Sequence, residues 1–224
     1  MRPVFITLPA GCLLACIGGI LWVQARIRAA TPYSRSVEIS SFEPRHLVTA
    51  KMIAETEAKS NLLEPTIQWK DVNGKPVTLA SHNAPRPQFI YFVLDGCPCS
   101  FDAEPLFHDL SKQFKGAIDF ASVTNGNPEK AMTWNREVSV PYPVLSDPKE
   151  EIIHLYGAKA AVYSVLVSKD GHIVKMWPGY SRSMLLEMNA TMATLAGVPQ
   201  KPFNTKYAPE IKATGCAFSP AGFK

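Results

Sequence analysis

The pattern of apolar and polar positions divides the chain into segments of different character. Residues 4–23 carry no charged side chain, whereas residues 30–65 are polar and irregular apart from a moderate helical period over 43–60. Over residues 66–197, apolar positions either alternate or recur with helical spacing, which is typical of packed strands and helices. Residues 198–224 are rich in Pro, Lys and small side chains. We therefore expect an apolar segment, a linker containing a short helix, one folded domain and a tail.

The apolar segment has the length of a transmembrane helix. About 20 consecutive apolar residues cross a hydrocarbon core of about 30 Å, and residues 4–23 supply that length. The segment exceeds the roughly 7–15 residues of a signal-peptide core, and no clear small-residue cleavage site directly follows it. We expect residues 1–29 to be an uncleaved signal anchor in a membrane, and residues 30–65 to be its linker and juxtamembrane helix. A cleaved signal peptide and lipidation at Cys16 are the alternatives.

The segment over 66–197 predicts an α/β domain. Asn73-Gly74 between two alternating runs indicates a hairpin. Residues 88–94 are nearly all apolar, β-branched or aromatic, which predicts a central strand buried on both faces. The other predicted elements are a helix over 98–114, a strand over 118–123, helices over 128–138 and 150–156, strands over 162–167 and 172–176, and a helix over 184–195. Their order predicts a mixed central sheet flanked by helices.

The composition narrows the classes of function. Charged residues make up 19% of the chain and hydrophobic residues 46%, which is typical of a globular protein and not of a disordered one. The net charge of +4 is spread without a run of Lys or Arg, so we expect no nucleic-acid partner. The five histidines show no metal-ligand spacing, and phosphate-binding glycine loops and serine nucleophile elbows are missing from the sequence. We therefore expect neither a metal nor a cofactor.

The motif Cys97-Pro98-Cys99 carries the clearest chemical signal. Cys97 directly follows the predicted central strand and directly precedes a helix, at the strand end where active groups collect in open α/β sheets. The amino terminus of a helix stabilises an anion, and a thiolate is the nucleophile of disulfide exchange. A disulfide between Cys97 and Cys99 would close a small strained ring that is easily reduced. Two buried inert cysteines are the structural alternative.

Asp95 and Cys216 are further candidates. Asp95 lies two residues before Cys97 and is a candidate proton acceptor for a thiol, with a solvated loop carboxylate as the alternative. Cys216 is the thiol that lies outside both the apolar segment and the Cys-Pro-Cys motif. If the tail folds back, Cys216 is a candidate resolving cysteine for Cys97; the alternatives are a free tail thiol and an intermolecular partner.

Residues 66–197 resemble the thioredoxin-like redoxins, in particular the membrane-anchored thiol–disulfide proteins and the alkyl hydroperoxide reductase/thiol-specific antioxidant (AhpC/TSA) group. The stretches that carry the resemblance are 69–79, 89–100 with the Pro-bearing 103–106, 141–148 with Tyr156-Gly157, and 165–174. The resemblance implies a thioredoxin fold with Cys97 as the attacking thiol and Cys99 as its resolving partner. It also implies a soluble domain that faces an extracytoplasmic, periplasmic space.

The chain departs from the patterns of that family around its cysteines. The usual dithiol is Cys-X-X-Cys, whereas here Ser100 holds the place of the second cysteine. The family's cis-proline is expected near Val162, where this sequence has no proline. The Pro-X-X-X-Thr-X-X-Cys motif of typical peroxiredoxins is missing before Cys97.

We therefore expect a membrane-anchored thiol–disulfide oxidoreductase that acts on protein thiols and disulfides. Cys97 attacks as a thiolate, and Cys99 or Cys216 releases the mixed disulfide. The alternative enzyme is a thiol peroxidase that acts on small thiols and peroxides, in which a sulfenic acid on Cys97 is resolved by Cys99 or Cys216. The remaining alternatives are a copper-binding assembly protein that uses Cys97 and Cys99, and a domain that keeps only the fold.

Overall fold

A computed structural model of the chain describes residues 46–220. The expected signal anchor, with Cys12 and Cys16, lies outside these residues, as do the first residues of the linker helix expected over 43–60. Among residues 46–220, no helix is both long and apolar enough to cross a membrane.

Strands and helices alternate along most of the described chain. The strands are β1 (His46–Leu47), β2 (Ile67–Lys70), β3 (Pro76–Leu79), β4 (Gln88–Val93), β5 (Asp119–Thr124), β6 (Val144–Ser146), β7 (Ser164–Val167), β8 (Ile173–Trp177) and β9 (Ala213–Thr214). The helices are α1 (Ala50–Glu57), α2 (Pro98–Gln113), α3 (Pro128–Val138), α4 (Glu151–Tyr156) and α5 (Arg182–Ala196).

A five-stranded mixed sheet in the order β6-β5-β4-β7-β8 forms the centre of the fold. Strand β4 lies in the middle, where it pairs parallel with β5 and antiparallel with β7. Its residues 89–93 are buried, as the nearly continuous apolar run predicts. The mixed sheet with flanking helices confirms the expected α/β class. The carboxyl end of β4 therefore lies between the ends of the neighbouring strands, and a short loop joins it to Cys97.

Aromatic side chains of β4 pack against helices on both faces of the sheet. The ring of Phe89 lies 5.7 Å from that of Phe107 on α2, measured between centroids. On the opposite face, the ring of Phe92 lies 5.6 Å from that of Tyr156 on α4. Buried aromatic rings contribute large apolar areas, so these contacts fix α2 and α4 against the central strand.

Several predicted elements match the structure closely. The hairpin of β2 and β3 has Trp69 opposite Val77, and Gly74 adopts a positive φ of 78° in its turn. Helix α3 has the expected bounds, since the Asn127 side chain caps it and Pro128 occupies its first turn. Strand β6 was not predicted, because three residues next to Pro143 carry too short a pattern.

Two predicted boundaries are wrong. The helix expected over 43–60 is shorter, because Thr49 accepts a hydrogen bond from the Met52 N–H and caps α1 at that point. The strand expected from Val162 begins only at Ser164, because Val162 adopts a left-handed backbone conformation with a φ of 68°.

The chain after α5 returns to the sheet edge and pairs there with three other segments. Strand β9 pairs antiparallel with β1. Ala213 exchanges backbone hydrogen bonds with Tyr180 in both directions, at 2.8 and 2.9 Å. The Gly215 N–H donates to the Ala161 carbonyl oxygen at 3.0 Å, and the Ala161 N–H donates to the Cys216 carbonyl oxygen at 2.9 Å. We name residues 213–218 the tail strand.

Two glycines allow the close approach of the tail strand. A Cβ atom at Gly179 would collide with the carbonyl oxygen of Ala213. A Cβ atom at Gly215 would lie 2.7 Å from the Cβ of Ala161. Neither backbone atoms nor the Ala161 methyl group can move aside as the end of a flexible side chain can. Larger residues at either position would therefore push the tail strand away from the sheet.

A carboxyl group is buried in the core beside α2. Glu104 is 1% exposed, and its two oxygens accept hydrogen bonds from the hydroxyls of Tyr91 and Tyr142. Burial raises the pKa of Glu104 to about 8, while the hydrogen bond from Tyr142 opposes that shift. At neutral pH the folded protein therefore holds Glu104 mainly as the neutral acid.

We expect Gly179→Ala to detach the tail strand, because the added methyl group collides with the Ala213 backbone. The cost should be about 1–3 kcal/mol, the usual range for overpacking. Trypsin should then cleave the full-length chain after Lys212 faster than in the wild type. Gly126→Ala is the matched control, since its Cβ would meet side-chain atoms and no backbone atom, the nearest being the Lys130 Cβ at 3.1 Å. Equal cleavage rates for wild type and Gly179→Ala would contradict the packing described here.

We expect Glu104→Gln to flatten the pH dependence of stability. An ordinary Glu ionises in the unfolded chain at about pH 4.3, whereas the folded pKa of Glu104 is about 8. The folded state therefore binds more protons between these values, and the free energy of unfolding falls as pH rises through them. Urea unfolding at several pH values measures this slope. The exposed Glu129 supplies the control, Glu129→Gln. Parallel curves for wild type and Glu104→Gln would exclude a buried neutral acid.

Candidate active site

Cys97 lies where the central strand passes into helix α2. The chain turns at Gly96, which has a φ of 75°, and the Cys97 N–H donates to the Leu94 carbonyl oxygen at 3.0 Å. Cys97 is the residue that precedes the first turn of α2, and Pro98 occupies that turn with a backbone angle suited to a helix start. Its side chain is 1% exposed. The Cys97 sulfur therefore lies at the positive end of a helix, inside the protein.

Hydrogen-bond donors converge on the Cys97 sulfur. The largest influence is a hydrogen bond from the Cys99 thiol, and the backbone N–H of Cys216, the Cys216 thiol and the Ser100 N–H add to it. The Cys216 nitrogen lies 3.4 Å from Cys97 Sγ. Together these donors hold the pKa of Cys97 well below that of an ordinary thiol, although burial acts in the opposite direction. At neutral pH, Cys97 is therefore a thiolate, the reactive form of cysteine.

Cys99 has the opposite protonation. It is 2% exposed on the first turn of α2. Its hydrogen bond to Cys97 raises the pKa of the Cys99 thiol, and burial and the nearby charges of Cys97, Cys216 and Asp102 raise it further. Cys99 is therefore a thiol that donates to its neighbour. Cys97 is therefore the nucleophile and Cys99 the hydrogen-bond donor, because two thiolates so close together would repel each other.

The tail strand brings Cys216 into contact with Cys97. The two sulfur atoms lie 3.3 Å apart, although 119 positions separate the residues in the chain. None of the three described cysteines is joined in a disulfide in this structure, and Cys216 is the half-buried one. A disulfide requires about 2.05 Å between the sulfur atoms, so a bond between Cys97 and Cys216 needs an approach of about 1.3 Å.

Asp95 forms an ion pair on the other side of the loop before Cys97. Its carboxylate lies 2.5 Å from the Lys130 ammonium on α3. Its backbone N–H donates to the side-chain oxygen of Asn125 at 2.8 Å. Within residues 46–220, the structure therefore places the Asp95 carboxylate on a lysine of α3.

The loop that contains Val162 forms backbone hydrogen bonds to both the central strand and the tail strand. The Val162 N–H donates to the Phe92 carbonyl oxygen at 2.8 Å, and the Phe92 N–H donates to the Tyr163 carbonyl oxygen at 2.9 Å. A β-branched residue at a φ of 68° is strained, and such strain collects at functional sites. The sequence shows only that this position lacks the expected proline. The contact of adjacent Ala161 with the tail strand has no local sequence signal.

Sequence reasoning also missed other residues around the cysteines. The Nε2 atom of His46 on β1 lies 3.6 Å from Cys216 Sγ. Asp102 is close enough to Cys99 to raise its pKa. Burial raises the pKa of Tyr180, and the nearby charges of Asp102 and Cys97 raise it further. Asp102 has a local signal, because it lies one helical turn after Cys99, but His46 lies 170 positions from Cys216 and has none.

Within residues 46–220, no group of three or more His, Cys, Asp or Glu side chains is arranged to hold a metal ion. The cysteines offer sulfur chemistry, since Cys97 is a buried thiolate, Cys99 is a thiol that donates to it, and Cys216 lies 3.3 Å from it.

We expect the alkylation of Cys97 by iodoacetamide to remain fast below pH 7 in the full-length chain. An ordinary thiol, with a pKa of about 8.5, loses reactivity about tenfold for each pH unit in that range. Cys99→Ala should move the profile to higher pH, because it removes the strongest donor to Cys97. Cys99→Ser should move it less, since the hydroxyl can still donate. Mass spectrometry of the peptide that contains Cys97 measures each alkylation rate. A wild-type rate that rises tenfold per pH unit from pH 6 to 8 would contradict the assignment of Cys97 as a thiolate.

Solved structures share this fold. A crystal structure of an uncharacterized conserved protein from Geobacillus kaustophilus aligns with a TM-score of 0.57 at 17% identity, over 73% of this chain and 94% of that one. A putative thiol:disulfide interchange protein DsbE from Chlorobium tepidum aligns with a TM-score of 0.55 at 18% identity, over 62% and 98%. Peroxidoxin BcpB from Mycobacterium tuberculosis aligns with a TM-score of 0.51 at 18% identity, over 63% and 98%. At these identities the likeness shows a thioredoxin-like fold.

Sequence comparison identifies the family. A curated relative, the chloroplastic peroxiredoxin Q of Gentiana triflora, is 23% identical over 137 residues, which are 60% of this chain. The match spans 63% of that protein, less than two thirds of its length. The sequence model of the AhpC/TSA family matches residues 63–176, from before β2 to the end of the sheet. This match covers half of the chain and includes the Cys-Pro-Cys motif. The chain therefore belongs to the AhpC/TSA family.

Proposed function

We propose that this chain is a thiol–disulfide oxidoreductase in which Cys97 attacks and Cys216 resolves. The observation that carries the proposal is the 3.3 Å distance between the Cys97 and Cys216 sulfur atoms. The low pKa of Cys97 supports it, because the attacking group has to be a thiolate. Membership of the AhpC/TSA family adds support, since its match includes both cysteines of the Cys-Pro-Cys motif.

The reaction consists of two exchange steps. The Cys97 thiolate attacks one sulfur of a substrate disulfide, forms a mixed disulfide and releases the other substrate sulfur as a thiolate. The Cys216 sulfur, after loss of its proton, then attacks Cys97 Sγ. This second attack forms the Cys97–Cys216 disulfide and releases the remaining substrate thiolate, which takes up a proton. The substrate gains two electrons and the protein becomes oxidised.

Cys216 is better suited than Cys99 to the second step. A disulfide between Cys97 and Cys99 would close a small strained ring. The Cys99 thiol also has a raised pKa, so it ionises less readily than an ordinary thiol. We assign Cys99 the role of hydrogen-bond donor that stabilises the Cys97 thiolate. In this assignment Asp95, which pairs with Lys130, takes no proton from the cysteines.

We propose further that residues 4–23 anchor the protein in a membrane and that the redox domain faces an extracytoplasmic space. The uncharged run of these residues supports the anchor. Thiol–disulfide exchange is useful in oxidising compartments, which supports the orientation. The name of a fold neighbour, a putative thiol:disulfide interchange protein from Chlorobium tepidum, agrees with exchange as the reaction.

A thiol peroxidase is the second candidate, favoured by the burial of Cys97. With 1% of its side chain exposed, Cys97 is accessible to a small peroxide more readily than to a protein disulfide. In that reaction, the Cys97 thiolate attacks a peroxide oxygen, the O–O bond breaks, and Cys97 becomes a sulfenic acid while an alcohol or water is released. The Cys216 thiol then forms the disulfide, and the sulfenic oxygen departs as water. The curated relative of this chain is named a peroxiredoxin.

We expect single cysteine variants of the full-length chain, purified in mild detergent, to separate these roles. With glutathione disulfide as the substrate and a dithiol that reduces the Cys97–Cys216 disulfide after each cycle, Cys97→Ser should abolish turnover. Cys216→Ser should complete the first step but accumulate glutathione on Cys97, with turnover lowered roughly 100-fold or more. Cys99→Ser should retain turnover at a rate reduced severalfold, because only a donor to the thiolate changes.

The same variants test the alternatives. Full turnover in Cys216→Ser with loss in Cys99→Ser would assign resolution to Cys99 and overturn the proposed pair. Consumption of hydrogen peroxide, with a dimedone-trapped sulfenic acid on Cys97 in Cys216→Ser and no exchange with glutathione disulfide, would favour the peroxidase. Unreactive thiols under both conditions would overturn both proposals and leave a domain that keeps only the fold.

A further inference from the structure

His46 contacts the sulfur atom that resolves Cys97 in the proposed function. Its Nε2 atom lies 3.6 Å from Cys216 Sγ, and Cys216 Sγ lies 3.3 Å from Cys97 Sγ. The Cys216 sulfur therefore lies between a thiolate and an imidazole. Neither the family match, which begins at residue 63, nor the Cys-Pro-Cys motif includes His46.

Strand pairing holds the imidazole at this position. His46 lies opposite Thr214 in the antiparallel pair of β1 and β9. Because side chains alternate along a strand, residues 214 and 216 point to the same face, and His46 is a diagonal neighbour of Cys216 on that face. The Val48 N–H donates to the Lys212 carbonyl oxygen at 3.0 Å and extends the pairing by one residue. The backbone thus brings together two reactive side chains that are 170 positions apart.

We propose that His46 is the general base that takes the proton from Cys216 in the resolving step. The proposal rests on the proposed function, since it concerns the second exchange step of the same pair. An ordinary cysteine is only a few per cent thiolate at pH 7, so a base in contact with the Cys216 thiol increases the fraction that can attack. Neutral imidazole is suited to that role near neutral pH.

The proposed step transfers the Cys216 proton to His46 and an electron pair to the leaving substrate sulfur. With Cys97 joined to a substrate sulfur, the Cys216 thiol proton passes to Nε2 of His46. The Cys216 sulfur forms a bond to Cys97 Sγ, the bond between Cys97 and the substrate sulfur breaks, and the substrate leaves with that electron pair. The imidazolium then returns its proton to the released thiolate or to water. In the reductive direction the same imidazolium protonates Cys216 as it leaves.

Within residues 46–220, two cysteine sulfur atoms lie near the His46 imidazole. The structure shows the Cys216 thiol in direct contact with it and the Cys97 sulfur behind that thiol, at the start of α2. Lys212 lies directly before the tail strand, four positions from Cys216, and its carbonyl oxygen accepts a hydrogen bond from the Val48 N–H. The thiolate at Cys97 is consumed when the mixed disulfide forms. At the moment of resolution, the Cys216 thiol therefore no longer donates to the Cys97 anion and can donate to His46.

The test follows the resolving step directly with Ellman's reagent. The background is the full-length chain with Cys12→Ala, Cys16→Ala and Cys99→Ser, which leaves only Cys97 and Cys216 as thiols. One equivalent of reagent places thionitrobenzoate on Cys97, and the attack of Cys216 then releases a second thionitrobenzoate in a first-order phase. The rate constant of this phase is measured from about pH 6 to pH 9.5 in the background, in His46→Gln and in His172→Gln. His172 is the control, a half-buried histidine that pairs with Asp170 at the hairpin of β7 and β8.

We expect His46→Gln to slow the second release roughly tenfold or more at pH 7, while His172→Gln leaves it unchanged. The difference should disappear near pH 9.5, where the Cys216 thiol ionises without a base. Equal rates at pH 7 would overturn the inference. Equal slowing at every pH would overturn it as well, because a lost structural contact does not depend on protonation. If the background itself shows no second release, the proposed Cys97–Cys216 pair fails and the inference fails with it.

Discussion

The contact between the Cys97 sulfur and the tail strand is the interaction on which the site depends. The buried end of β4 and the start of α2 hold the sulfur at the amino terminus of a helix. A buried anion there requires hydrogen-bond donors, and the Cys99 thiol and the Cys216 backbone and thiol supply them. The same tail residue that stabilises the thiolate also offers the second sulfur atom, at 3.3 Å. In the proposed function, stabilisation of the thiolate and its later oxidation therefore both depend on the tail strand.

The packing of the tail explains how a remote cysteine acquires a defined position. Backbone hydrogen bonds from Tyr180 and Ala161 hold the tail strand from two sides, and β1 pairs along it. Gly179 and Gly215 permit this approach because neither has a Cβ. The strained backbone at Val162 lies beside the same contact, bonded to the central strand. These constraints hold the Cys216 sulfur 3.3 Å from the Cys97 sulfur.

The parts of the fold that local signals specify were predictable from the sequence. Asn73-Gly74 indicated its hairpin, and Pro128 with the preceding Asn127 marked the start of α3. The junction of β4 and α2 could likewise be located, together with Cys97. The tail strand was not predictable, because β9 has two residues and its partners lie elsewhere in the chain. For the same reason the sequence offered Cys216 only as one alternative and left His46 without any role in catalysis.

Mapping the disulfide of the oxidised full-length chain tests the central claim most directly. Trypsin cleaves after Lys212 and separates Cys216 from the peptide that contains Cys97 and Cys99. After mild oxidation by glutathione disulfide, the account predicts a reversible bond that joins the two peptides, with tandem fragmentation assigning it to Cys97 and Cys216. A bond between Cys97 and Cys99, with Cys216 alkylated as a free thiol, would contradict it.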